Sequence, residues 1–358
     1  MDDFLVIGGG IAGISAAARL AKLGSVTVLE AETGLAYHTS GRSAAMFEET
    51  YGSPSTVTLN KASRDYLFHA NGGVLSPRGL MLVGTAATGS AFSHDMTAMA
   101  LDEMPLEQAL AMVPILNPKV VTEIGFHADA WDIDTDLLIQ NFAKEVRANN
   151  GTIVTGQTVT RIQKSKSGWQ VTTPGGEYFS KVLVNAAGAW VDEIAEMAAI
   201  APLGFTPYRR SMARIPAPDG LNVTGWPLLF GPGETWYAKP DAGKLLVSPA
   251  DETPTMPHDA WAEELTLAEG IASFESVTTT TVTRLESSWA GLRTFSPDRS
   301  LVIGPDPKET SFFWVAGQGG YGFQSSAGAS QLVADLLGGG AGTFDQRTIA
   351  ALSPTRFG

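Results

Sequence analysis

The chain has 358 residues and a mass of 37.7 kDa, and 44% of its residues are hydrophobic. That is enough to bury two moderate cores, and two domains are expected. It contains no Cys, which excludes disulfides, thiolate metal sites, a catalytic thiol and a cysteinyl flavin link, and its formal charge of −13, with no clustered basic patch, argues against a nucleic-acid partner.

The acidic start Met1-Asp2-Asp3 is unlike a secretory signal, and no run reaches the roughly 18 apolar residues of a membrane span. A soluble, cytoplasmic protein is expected. His38, His69, His94, His127 and His258 are scattered without ligand spacing, so no metal is expected.

Residues 4–30, FLVIGGGIAGISAAARLAKLGSVTVLE, read as strand, helix and strand. Phe4 to Ile7 suits a buried parallel strand. Gly8, Gly10 and Gly13 then have G-x-G-x-x-G spacing: a tight turn, a close approach to pyrophosphate, and helix-on-strand packing. Ala16, Ala17, Leu20 and Leu23 continue at helical spacing until Gly24, and the second strand ends in Glu30, placed to accept from both ribose hydroxyls of an adenosine. The pattern predicts a dinucleotide site and does not separate FAD from NAD.

Next comes SGRSAAMFEETYG (40–52), where Glu48 and Glu49 follow a run of small residues. A helix is predicted from Asp134 or Thr135 to Gly151. The stretches GTIVT, QTVTRIQ, GWQVTT and EYFSKVLVNAAG predict a small antiparallel meander that returns to a buried strand at 182–186. Between about 203 and 284, WPLLF, TWYAKP, KLLVSP and SVTTTTVTRL predict a separate β-rich layer. Residues 311–340 repeat the organisation of strand, glycine-rich turn and helix, and the tail after Gly338 is expected to be peripheral.

Six segments, YHTSGRSAA (37–45), NAAGAW (185–190), PYRRS (207–211), WYAKPDAG (236–243), SWAGLRTF (288–295) and FFWVAGQGGYGFQSSA (312–327), together resemble the D-amino-acid oxidase superfamily of FAD enzymes, which includes glycine and sarcosine oxidases. The bacterial D-arginine dehydrogenase type is the nearest match. The resemblance implies an α/β chain: a discontinuous, Rossmann-like FAD-binding domain of the glutathione-reductase type (1–76, 130–200 and 288–358) with an inserted β-rich substrate domain (77–129 and 201–287).

It selects FAD as the cofactor. Gly8, Gly10, Ile11, Ala12, Gly13, Glu30 and Ala31 would hold the ADP half, and Val159 would contact adenine. Ser40, Arg42, Ser43, Ala44 and Ala45 would lie near the pyrophosphate and flavin, with the small-residue turn at Ala187 and Gly188, Trp190 and Gly291 close by. Gly319, Gly320, Tyr321, Gly322, Phe323 and Gln324 would line the isoalloxazine edge. With no Cys, and His38 in a motif that relatives use with dissociable flavin, non-covalent FAD is expected.

The implied reaction is oxidative deamination of a D-amino acid to a 2-oxo acid and ammonia, by hydride transfer from Cα to flavin N5. Arg210, Arg293 and Tyr237 would clamp the substrate carboxylate, since a guanidinium fork matches a carboxylate bidentately. The Gly320 carbonyl would accept from the amine, and Tyr51 would close the side-chain end. Met46, Leu80, Leu228, Phe230 and Gln324 would complete the pocket.

Leu80 stands where the D-arginine type has an acidic residue, while Glu48 replaces a Thr. Either Glu48 now faces the substrate side chain and favours a cationic or hydrogen-bonding tail, or it turns to solvent or a lid and leaves an apolar pocket. Glu49 is assigned to a solvated face. Sarcosine-type oxidases place a Lys over the flavin, and here Leu246 is expected nearest that point, with Lys244 on the same strand face. This leans towards a dehydrogenase with a quinone or other acceptor; a glycine or secondary-amine oxidase and a non-catalytic flavin-binding protein are the alternatives.

Overall fold

The computed structural model describes residues 1–339 and 342–358. Apolar runs buried on both faces make its first, eight-stranded sheet. Strand β1 (Asp2–Ile7) lies between two parallel neighbours, β2 (Val26–Leu29) and the long strand Gly176–Asn185. Thr152–Val154 extends the sheet in parallel beyond β2, and Phe312–Ala316 does so beyond the C-terminal half of Gly176–Asn185. Helix α1 (Ile11–Leu20) buries Gly13, Ala16, Ala17 and Ala18. These small residues let it pack closely against its neighbours, including the helix Ser326–Gly338.

The second sheet has nine strands. In chain order its main members are β3 (Leu80–Thr85), β4 (Val121–His127), β5 (Thr206–Ile215), β6 (Leu228–Phe230), β7 (Tyr237–Asp241), β8 (Lys244–Ser248) and β9 (Ser287–Phe295). β6 runs parallel to β3 and sets Leu228 beside Leu80. β9 pairs along β5 from Thr206↔Phe295 to Arg214↔Ser287. A three-stranded sheet of Met46–Phe47, Trp131–Ile133 and Leu75–Pro77 completes the β-structure of the described residues.

Several expectations change. A domain boundary at 288 gives β9 to the nucleotide-binding part, yet its whole length pairs in the second sheet. The meander holds for 161–165, 168–173 and 176–185, but Thr152–Val154 joins the parallel sheet instead. The last meander strand and the expected buried strand at 182–186 are one strand, Gly176–Asn185, whose first half is antiparallel to 168–173 and whose second half is parallel to 312–316. SVTTTTVTRL forms no strand. It follows a helix, Glu264–Ser276, and contributes a single bridge, Leu116↔Thr278.

That helix buries Phe274 completely among Trp226, Trp236 and Val247, a contribution of about 2 kcal/mol. The tail is not peripheral either. The helix Gln346–Leu352 is capped by Asp345, and Leu352 is buried in the main core.

Candidate active site

Three cavities meet between the sheets. The first is lined by Gly8, Gly10, Glu30, Ala31, Ser40, Val159, Ala187, Gly188 and Trp190 among others. It shares Gly10, Thr39, Ser40, Ala186 and Gly188 with a second, which reaches Ile11, Ala12, Arg42, Gly291, Gly319, Gly320, Gly322 and Phe323. The second in turn shares Ser43, Ala44, Ala45, Met46, Arg210, Tyr237, Arg293, Gly320 and Gln324 with a third. The shared walls join the three into one slot from the β1–α1 turn to β3 and β6.

Close backbone packing shapes the nucleotide end. Gly8 has φ 107°, and a Cβ on it would lie 2.4 Å from the Ala186 carbonyl oxygen. A Cβ on Gly13 would lie 1.9 Å from the Gly8 carbonyl oxygen, so only glycine lets α1 reach the turn. Gly13 therefore packs the helix and lines none of the cavities. Glu30 is buried, its two oxygens accepting from the backbone N–H of Gly9 (2.6 Å) and Glu32 (2.8 Å) while it lines the nucleotide cavity. Ser40 Oγ accepts from Ile11 N–H at 3.0 Å.

Arg42 lines the middle cavity while its guanidinium donates to the carbonyls of Ala260 and Ala290 and to Asp259. These contacts tie the loop beyond β8 to the segment 39–42. His38 Nε2 lies 2.9 Å from Glu32, and its ring packs 4.7 Å from Trp190 beside the nucleotide cavity.

The substrate end is built by register. Tyr208 pairs with Arg293 and Arg210 with Gly291 across β5 and β9, so alternation along the strands brings Arg210 and Arg293 to one wall. Both line the middle and third cavities, as does Tyr237. The Arg293 side chain makes no hydrogen bond or ion pair with any described residue, whereas Arg210 Nη2 lies 3.3 Å from Glu252 and its Nε has no partner. Burial pushes the Arg210 guanidinium down, and the like charge of Arg293 adds to this. Gly320 lies against the other face of Arg293: a Cβ there would sit 3.2 Å from the guanidinium carbon. A buried Arg210 and a half-buried Arg293 on one wall, with Glu252 as partner of the first alone, favour an anion in the cavity.

At the far end, Met46, Leu80, Met99, Ala130, Leu228 and Phe230 form apolar walls. Glu48 also lines this cavity, so it is not turned to solvent, but its carboxylate is engaged. Oε1 accepts from Thr50 N–H (3.0 Å) and Thr50 Oγ1 (2.6 Å), and Oε2 lies 2.9 Å from His127 Nε2. Burial pushes its carboxyl up, but His127 and Thr50 outweigh this and hold it below the ordinary range. Glu49 is paired with Arg64 at 3.2 Å rather than simply solvated.

Gln324 fastens this segment, accepting from Glu48 N–H and donating to the Tyr51 carbonyl, each at 3.2 Å. Tyr321, expected at the isoalloxazine edge, lines none of the cavities. Its ring packs 5.3 Å from that of Tyr51.

Sequence reasoning missed Glu234. It lines the third cavity and accepts from Tyr51 Oη at 3.0 and 3.1 Å. Its signal was the Gly-Pro-Gly-Glu turn three residues before Tyr237, which holds Glu234 at φ 53°. Gln318 and Thr294 on the middle cavity were missed as well. Leu246 lines none of the cavities. Its cross-strand neighbour Lys239 is buried and bound to Asp132 at 2.6 Å, and Lys244 is paired with Glu286.

The family model described as "DAO: FAD dependent oxidoreductase" matches residues 3–336. "FAD-dependent oxidoreductase domain-containing protein 1" of Bos taurus is 23% identical over 94% of this chain and 81% of its own length. Mitochondrial dimethylglycine dehydrogenase of Homo sapiens is 25% identical over 99% of this chain, which spans 44% of that protein. The crystal structure of glycine oxidase from Geobacillus kaustophilus superposes with a TM-score of 0.83 at 21% identity, covering 99% of this chain and 98% of that one. No helix among the described residues is long and apolar enough to cross a membrane. The chain belongs to the DAO family of FAD-dependent oxidoreductases.

Proposed function

We propose that the protein oxidises a D-amino acid to its imino acid, which water hydrolyses to a 2-oxo acid and ammonia. The observation that carries this reading is Arg293, a guanidinium without a hydrogen-bond or ion-pair partner among the described residues, on the cavity that continues from the nucleotide turn. FAD held along the slot would supply the two-electron acceptor for the Cα–H bond. The absence of Cys, and the place of His38 on the nucleotide cavity rather than the middle one, support non-covalent binding.

Arg210 and Arg293 grip the substrate carboxylate with Tyr237 alongside, which fixes Cα and removes its translational freedom. The Gly320 carbonyl accepts from the amine, which reaches the neutral form by losing a proton to solvent. Burial pushes the Tyr51 phenol up, and the Glu234 carboxylate beside it adds to the shift. Tyr51 therefore stays a neutral donor that closes the side-chain end. The tail lies along Met46, Leu80, Leu228 and Phe230, with Glu48 and Glu234 favouring a hydrogen-bond donor or cation at its tip. The D configuration rests on the sequence resemblance.

No lysine lines the three cavities, which supports an acceptor other than oxygen. A second reading, oxidation of a glycine-derived secondary or tertiary amine, is favoured by the match to dimethylglycine dehydrogenase along almost the whole chain.

The test is anaerobic mixing of purified holoprotein with D- and L-amino acids, glycine, sarcosine and dimethylglycine, following loss of oxidised-flavin absorbance. Bleaching by D-amino acids with release of ammonia is expected. Bleaching only by the N-methylated amines would establish the second reading. A flavin that none of them reduces would point to a flavin-binding protein without turnover.

A further inference from the structure

The two arginines at the substrate end differ in what holds them. Arg293 has no ion-pair partner among the described residues, whereas Arg210 is tied through Nη2 to Glu252 at 3.3 Å. Glu252 lies outside the cavity linings, and its side chain is 37% exposed. Left alone, a carboxylate so open to water would spend much of its time in solvent.

It is not left alone. Arg299 Nη2 donates to both oxygens of Glu252 at 3.0 Å. The Arg299 guanidinium in turn lies 3.9 Å over the Phe295 ring and 5.5 Å from Tyr208. The next residue back, Asp251, accepts from Ser211 N–H (2.6 Å) and Ser211 Oγ (2.9 Å), which clips the segment to β5 beside Arg210 itself. Arg299 adopts φ 61°, an uncommon backbone state for a residue with a side chain.

We propose that Glu252, gripped by Arg299, is a positioning residue for the carboxylate clamp: it holds Arg210 from the solvent side and leaves the remaining guanidinium edge free for the substrate. The inference rests on Arg210 and Arg293 being that clamp. An arginine has several soft torsions, and ordering them before the substrate arrives removes part of the entropic cost of binding. A carboxylate close to Arg210 also offsets its repulsion from Arg293. Electrostatics alone predicts the opposite effect on binding, because removing Glu252 would leave the cavity more positive and more attractive to any anion. The two roles are therefore separable.

The experiment uses holoprotein and benzoate as a simple carboxylate probe, read by perturbation of the flavin spectrum, together with the limiting rate of anaerobic flavin reduction by a substrate that reduces the wild type. Glu252→Ala is expected to weaken benzoate binding about tenfold and to slow reduction at saturation, matching the loss of one charge-assisted hydrogen bond. Glu252→Gln, which keeps an acceptor for Arg210, should restore binding to within about threefold, and Arg299→Ala should weaken it by about threefold from outside the cavity. A simple fold defect would not be rescued by Gln, and flavin content reports on it separately.

Unchanged or tighter benzoate binding in Glu252→Ala, with Arg293→Leu still abolishing it, would overturn the positioning role while leaving the clamp intact. Failure of the wild type to bind benzoate, or Arg293→Leu binding it normally, would overturn the clamp and this inference with it.

Discussion

The nucleotide end and the substrate end of the slot are constructed in contrasting ways. At the nucleotide end most constraints are local, the close approach of Gly8 to the Ala186 carbonyl apart: Gly8, Gly10 and Gly13 lie within one turn and one helix, and the carboxylate of Glu30 returns to the neighbouring Gly9 N–H from the next strand. At the substrate end the constraints come from strands far apart in the chain. Tyr51 meets Glu234 across 183 residues, and Gln324 meets Tyr51 across 273. The first end tolerates little change because backbone touches backbone; the second can be retuned one side chain at a time. The DAO fold thus keeps a rigid nucleotide turn beside a pocket whose residues can be exchanged.

The most damaging way to break this contrast is a methyl group at the rigid end. Gly13→Ala would place its Cβ against the Gly8 carbonyl oxygen, where backbone and not a flexible side chain must give way. The expected outcome is purified protein without flavin, with the 450 nm region of the spectrum empty, and a lowered melting temperature. A yellow Gly13→Ala protein of wild-type stability would show that the turn has slack and that the two ends differ less than their geometry indicates.

A smaller and more selective loss is expected from Arg293→Leu. Flavin should be retained, since β9 keeps its pairing with β5 and the side chain that is lost holds no ion pair with any described residue. Substrate affinity, measured from the concentration dependence of anaerobic flavin reduction, should fall by about a hundredfold or more, matching the loss of a bidentate charged contact. Retained affinity would remove Arg293 from carboxylate binding and sharpen attention on Arg210 and Tyr237.

The same contrast explains what could be read from sequence. The nucleotide turn follows from glycine spacing and apolar runs because most of its contacts lie within residues 4–30. The clamp residues were legible only through whole motifs, since nothing in the spacing of Arg210, Tyr237 and Arg293 shows that β9, β5, β8 and β7 follow one another in a single sheet. Glu234 escaped because a Gly-Pro-Gly-Glu turn reads as an ordinary loop. The Glu48–His127 contact escaped because it depends on β4 placing His127 opposite Leu80. The helix Glu264–Ser276 and the buried tail were missed for a related reason: tertiary burial of Phe274 and Leu352 decided them.

The smallest expected effect belongs to Glu48, and its sign distinguishes two uses of one carboxylate. Its folded-state ionisation is depressed because the contacts with His127 and Thr50 outweigh burial. The stability it contributes is therefore fully present above its unfolded pKa and is lost as pH falls through the lower, folded value. Glu48→Gln keeps an acceptor for Thr50 but loses the charge facing His127, so it should melt below the wild type at neutral pH, and the two curves should converge in acid. If the carboxylate also meets the substrate tail, the same variant should lower the preference for D-Lys over D-Met by about tenfold, while reduction by D-Met changes less than about threefold. Convergent melting with an unaltered preference would make Glu48 a fastener of the Tyr51 segment alone, and would leave Glu234 as the carboxylate that reads the tail.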